Sequence, residues 1–109
     1  MVVNNSSKIK IGTQIFDIKI IDDLHDSGRE LDGWLQPWKS EISLDSRLNT
    51  YSSRLTLWHE IVHQIIAIAG IKEDIPEPAI DALAYGVIQI LEDNKWIAEN
   101  PKQGGGENA

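Results

Sequence analysis

From Lys8 the chain alternates, with Ile9, Ile11, Ile15, Phe16, Ile18 and Ile20 separated by polar residues. A period of two is the signature of a strand with one covered face. Gly12-Thr13-Gln14 interrupts it, which predicts a β-hairpin or two short strands of one sheet. Residues 22–29 are polar and predict a loop. Residues 34–36 and 41–44 predict two more short strands around a turn at Pro37-Trp38-Lys39-Ser40. The period then changes. Across residues 51–69, Leu55, Trp58, Val62, Ile65 and Ala69 form one helical stripe, and Leu57, Ile61, Ile66 and Ile68 cover most of the remainder. A helix apolar nearly all round predicts a central position in its domain. Asn49, Thr50, Ser52 and Ser53 all suit its N-cap, and Gly70 its C-cap. Pro76 and Pro78 fit only a first helical turn, so a second helix is predicted from there to about residue 93. Its stripe is Ile80, Leu83, Ala84, Val87, Ile88 and Leu91. Residues 94–100 predict a further helical turn, and residues 101–109, rich in glycine, a disordered tail.

No repeat and no internal boundary interrupts this order, so residues 1–100 are expected to form a single domain. The class is α+β: a few-stranded antiparallel sheet packed on one helix and on a second, antiparallel helix.

Composition narrows the chemistry. Seventeen acidic against ten basic residues give a net charge of −7, which repels phosphate backbones and argues against a nucleic-acid partner. With no cysteine, neither a disulfide framework nor a thiolate metal site is possible, and a reducing compartment fits. Residues 1–8 lack the basic start and apolar core of a signal peptide, and no run is apolar enough for a membrane span. A soluble cytoplasmic protein is the expectation.

The first helix carries the sequence His59-Glu60-Ile61-Val62-His63. Residues four apart share a helical face, so His59 and His63 can bind one Zn²⁺ through ring nitrogens. Glu60 lies off that row, where its carboxylate can reach a water on the metal. A catalytic zinc usually takes three protein ligands. His25, a carboxylate or, less often, another oxygen donor must therefore supply the third. Glu77 is the better placed, opening the returning helix, with Asp81 four residues on as a partner for an imidazole N–H. Glu77 is also the kind of first-turn carboxylate that a helix dipole favours on its own. Tyr85 and His25 are candidates for stabilising an oxyanion. The four tryptophans are expected in core and sheet packing, with Trp34 and Trp38 as alternatives for a substrate groove.

His59-Glu60-x-x-His63 followed by Glu77-x-x-x-Asp81 resembles the gluzincin pattern of zinc peptidases. Ile42-Ser43-Leu44-Asp45 before the helix and Asp81-Ala82-Leu83-Ala84 after it are similar to the small phage- and prophage-associated zinc peptidases of the ImmA/IrrE group. The resemblance spans residues 33–94. It implies a zincin-like fold, a Zn²⁺ cofactor, Glu60 as general base, and His59, His63 and Glu77 as ligands with Asp81 steadying the first histidine. It also implies a peptide or protein substrate, by analogy a regulatory protein such as a repressor. In this plan residues 42–44 run along the cleft as an edge strand. The gap from His63 to Glu77 is shorter than in large gluzincins, which keeps Asp81 open as a competing third ligand. The alternative reading is a non-catalytic protein-binding module with a structural zinc or no metal.

Overall fold

A computed structural model of the chain describes residues 7–94. The alternating segment folds into β1 (Lys8–Ile11) and β2 (Gln14–Ile21), an antiparallel hairpin with Ile9 opposite Phe16. Gly12, at the first central position of its two-residue turn, has φ 62°, a conformation in which a Cβ is strained. Residues 22–32 are not a plain loop. They contain a small ribbon of β3 (His25–Asp26) and β4 (Arg29–Glu30), turned through Ser27 and Gly28 at φ 54° and 79°. Two successive positive φ values define the turn that closes such a ribbon.

β5 (Gly33–Gln36) then passes through a 3₁₀ turn at Pro37–Lys39 into β6 (Glu41–Asp45), with Leu35 opposite Ile42. The sheet order is β1-β2-β6-β5. β6 enters between β2 and β5 and runs parallel to β2, with Ile18 opposite Ile42. The expected all-antiparallel sheet is therefore a mixed one. The reason is that the β5–β6 hairpin docks through its second strand, and two strands leaving the same end of the molecule in the same direction pair in parallel. For the same reason the strand of residues 42–44 is internal, and β5 forms the edge.

Alternation places Phe16, Ile18, Ile42 and Leu44 on one face of the sheet, where all are buried. Helix α1 (Thr50–Ile68) covers that face with Leu57 and Ile61. Of the four N-cap candidates it uses Asn49, whose side chain accepts the Ser52 N–H at 2.8 Å. At its other end Gly70, at φ 75°, donates to the Ala67 carbonyl while Ile71 donates to Ile66, a paired closure that consumes two orphan carbonyls. Of the expected stripe, Val62 is buried and Trp58 packs against the core, joined inside by Leu57 and Ile61, whereas Ile65 and Ile68 are exposed, Ile68 beside Gly12 of the β1–β2 turn.

α2 (Glu77–Asp93) returns antiparallel and packs on α1 through Ile80, Ala84 and Ile88. Leu83 and Leu91, expected inside, are exposed because α2 rests on a helix and not on the sheet. The Arg54–Glu92 ion pair ties the end of α2 to the start of α1. The layers are sheet, α1, α2. No described helix is long and apolar enough to cross a membrane. Of the helical turn expected at 94–100, Asn94 closes α2 by donating its N–H to the Ile90 carbonyl, while residues 95–100 with Trp96, the tail at 101–109 and the residues before Ser7 lie outside the described residues.

One buried carboxylate organises the approach to β5. Asp45, at the end of β6, accepts the Leu24 N–H at 2.8 Å, the Arg47 N–H at 2.8 Å and Arg47 Nε–H at 2.7 Å. Its own N–H donates to the Asp32 carbonyl at 2.8 Å. The Arg47 guanidinium, then the two backbone N–H groups, hold its carboxyl well below the usual carboxylate range. A depressed folded-state pKa stabilises the fold above the unfolded value and loses that contribution as pH falls through the folded value. Asp45→Asn is expected to lower the thermal midpoint at neutral pH. The gap to the native chain should stay constant above about pH 5 and close progressively below about pH 4. Melting curves across that range check it, and a gap independent of pH would exclude the charge as the source.

Candidate metal centre and cleft

Helical spacing puts His59 and His63 side by side on α1, with ring centroids 4.8 Å apart and planes at 63°. Both Nε2 atoms converge, at 3.2 Å from each other. Glu77, in the first turn of α2, reaches the same point: Oε2 is 2.9 Å from His59 Nε2 and Oε1 is 3.4 Å from His63 Nε2. Asp81, one turn further along α2, meets the opposite side of the His59 ring, with Oδ1 2.7 Å from Nδ1. The two carboxylates that the sequence left in competition therefore occupy different places. Glu77 joins the point of convergence, and Asp81 lies where a carboxylate accepts an imidazole Nδ1–H, the arrangement that frees Nε2 for a ligand.

The donor separations can be compared with a metal's demands. Four ligands at about 2.0–2.1 Å in a tetrahedron stand about 3.3 Å from one another. Contacts of 3.2, 2.9 and 3.4 Å fall close to that edge length. His59, His63 and Glu77 are thus a group of ligating side chains able to hold one ion. His25 is not near it. It donates Nδ1–H to the Asp23 carbonyl at 2.7 Å and faces Glu30 across the β3–β4 ribbon.

Glu60 sits beneath this group. Burial pushes its carboxyl up, against the pull of His59 and His63 in their charged forms, while the neighbouring Glu77 adds to the rise. Its Oε2 is buried with no hydrogen-bond partner among the described residues. An orphan carboxylate oxygen inside a fold is costly, and functional sites are where such groups collect.

Of these residues, His59, Glu60 and Asp81 line an open cleft of about 770 Å³. α1 is its floor, with Thr56, His59 and Glu60. Asp32 and Gly33 form one wall and Asp81, Ala82 and Tyr85 the other. Neither Trp34 nor Trp38 lines it. Trp38 is 72% exposed on the 3₁₀ turn, outside both core and cleft, while Trp58 packs against the core.

Gly33 precedes the strand expected at residues 34–36 and has no expected role, yet it sets the approach of β5 to α1. A Cβ there would stand 2.6 Å from Thr56 Cγ2 and 3.4 Å from Glu60 Cγ, so the missing side chain lets β5 lie directly on α1 beside Glu60. A glycine inside a strand pattern is the signal that marks such an approach. β5 is also an open edge of the sheet. Asp45 N–H bonds to Asp32, so hydrogen bonding toward β6 falls on residues 32, 34 and 36. Gly33 and Leu35 consequently direct their N–H and C=O groups outward, away from β6, and Gly33 does so at the cleft.

Set beside known proteins, the chain matches no family model, no curated protein and no solved structure.

Two outcomes follow from this geometry. Gly33→Ala is expected to destabilise the fold by about 1–3 kcal/mol through overpacking, and Thr56→Ser, which removes the opposing methyl, to restore most of it. Denaturant melts of the single and double variants check that coupling. In metal-free protein at pH 7, Glu60→Gln is expected to raise stability by on the order of 1 kcal/mol, since it removes a buried charge. A raised carboxyl pKa costs stability only where the group ionises. The gain should therefore vanish as pH falls below the ordinary glutamate range, and a gain that persists there would refute burial of the charge as its cause.

Proposed function

We propose that the protein is a zinc-dependent peptidase with a zincin-like arrangement, in which His59, His63 and Glu77 would hold the ion. The convergence of those three side chains at tetrahedral spacing carries the reading. The donor set supports a catalytic over a structural site. Three side chains gather among the described residues and His25 stays away, so a position remains for water.

Zinc bound there would polarise a carbonyl and lower the pKa of the attacking water to about 7. The chain's own residues supply the rest. An extended peptide pairs with the outward N–H and C=O groups of Gly33 and Leu35, adding a strand to the sheet. Its scissile bond then lies over Glu60. The water oxygen bonds to the carbonyl carbon as Glu60 takes the water proton, and that proton passes to the amide nitrogen as the C–N bond breaks. Burial suits Glu60 to this, because a raised pKa matches a base that must also serve as an acid. Asp81 holds the His59 ring in place throughout.

Elemental analysis of protein purified without chelator or nickel resin is expected to give close to one zinc per chain. His63→Ala and Glu77→Ala should lose it, and Asp81→Asn should weaken zinc affinity by roughly 10–100-fold. Glu60→Gln should keep the metal and lose peptide cleavage. Absence of zinc from the native chain, with no uptake on addition, sinks the reading. A protein-binding module using the β5 edge would instead keep its ligand in both native and Glu60→Gln forms, with no cleavage in either.

A further inference from the structure

We infer that the cleft selects peptides with lysine or arginine at the residue that pairs with Gly33, and that Asp32 receives the cation, an assignment that rests on the peptidase reading above. The charge of the lining restricts what the cleft can take. Its carboxylates are Asp32, Glu60 and Asp81, and neither lysine nor arginine lines it. An ion at the histidines has to be counted as well. Both charges of a zinc held there would be offset by Glu77 and Asp81, which meet His59 from either side, whatever the state of Glu60. Asp32 remains as surplus negative charge. It is exposed, and its carboxylate has no hydrogen-bond or ion-pair partner among the described residues. Arg47 and Arg54 are engaged elsewhere, by Asp45 and Glu92.

The position of Asp32 says which peptide residue it meets. A Cβ on Gly33 would point at Thr56 and Glu60, so Gly33 faces α1. Residues directly opposite each other in a sheet turn their side chains to the same face. The peptide residue paired with Gly33 therefore sends its side chain toward α1 and into the cleft, beside a neighbour that has no side chain of its own. Asp32 lies one residue away along β5, about 3.8 Å between Cα atoms, and an added strand lies about 4.8 Å across. That diagonal is within reach of a long side chain. Leu55 and Ala82 give the same lining apolar surface for an aliphatic stem. Lysine and arginine combine such a stem with a cation. An acidic side chain would meet like charge, and an apolar one would cover the Asp32 carboxylate without pairing it, which costs free energy.

The test uses the full-length, zinc-loaded chain and an internally quenched peptide library randomised along its length. Cleaved members are expected to be enriched in lysine or arginine beside the scissile bond. Replacing that residue by glutamine in the best-cleaved member should lower kcat/KM by roughly 3–10-fold, and replacing it by glutamate should lower it further. Asp32→Asn should bring the basic-to-glutamine ratio to within about twofold, and Asp32→Lys should turn the preference toward the glutamate peptide. Asp93→Asn changes the net charge equally, at the far end of α2 and outside the lining, and should leave the ratio at its native value. Affinity of the same peptides for the zinc-loaded Glu60→Gln chain, read by fluorescence anisotropy, should follow the same order and lose it when Asp32→Asn is added. Cleavage that is abolished by Glu60→Gln yet shows no basic preference overturns the assignment and leaves the peptidase reading standing. So does a basic preference that survives both Asp32 substitutions. If the zinc-loaded native chain cleaves nothing beyond the Glu60→Gln background, both the reading and the assignment fall.

Discussion

The turn of about 100° between successive residues of an α-helix is the constraint on which this fold and its site both depend. α1 has to bury Leu57 and Ile61 against the sheet and still turn His59 and His63 toward Glu77 on α2. Four-residue spacing satisfies both at once, because each pair forms its own row on the same cylinder. Glu60 falls between the rows. It is close enough to the sheet to be desolvated and close enough to the histidines to share their environment. The raised pKa of that one side chain follows from the phase of the helix and needs no dedicated pocket.

The remaining parts of the site come from elements that touch α1 on either side. β5 can approach from one flank because residue 33 has no side chain, and Asp45 holds the chain at residues 24, 32 and 47 so that β5 begins where it does. α2 approaches from the other flank and brings Glu77 and Asp81 to opposite sides of one imidazole. Geometry thus separates two carboxylates of closely similar chemistry into different positions, according to which ring nitrogen each one meets.

Much of this was legible in the chain. The five residues from His59 to His63, the four-residue step from Glu77 to Asp81 and the proline-marked start of α2 are local patterns, and local patterns survive in sequence. Both helices lie within a residue or two of their expected bounds, as does the first hairpin. What sequence did not carry was partnership between distant segments. Nothing in residues 14–21 or 41–45 records that they pair in parallel, since both read equally well as members of an antiparallel sheet. The displacement of the edge from residues 42–44 to β5 follows from that one pairing. The β3–β4 ribbon had a signal in Ser27-Gly28, a dipeptide suited to positive φ, but its strands are too short to show alternation. The apolar stripe of α2 was overcounted because periodicity tells which side of a helix is apolar and not how wide a surface it meets.

The seam between the helices has a further consequence. The histidines stand on a helix locked into the main core, whereas Glu77 and Asp81 stand on one attached to it mainly through Ile80, Ala84 and Ile88 and an ion pair at its far end. The two carboxylates stay beside the histidines only while this seam is closed, so a substitution that loosens Ile80, Ala84 or Ile88 acts on the constellation without touching any of its members.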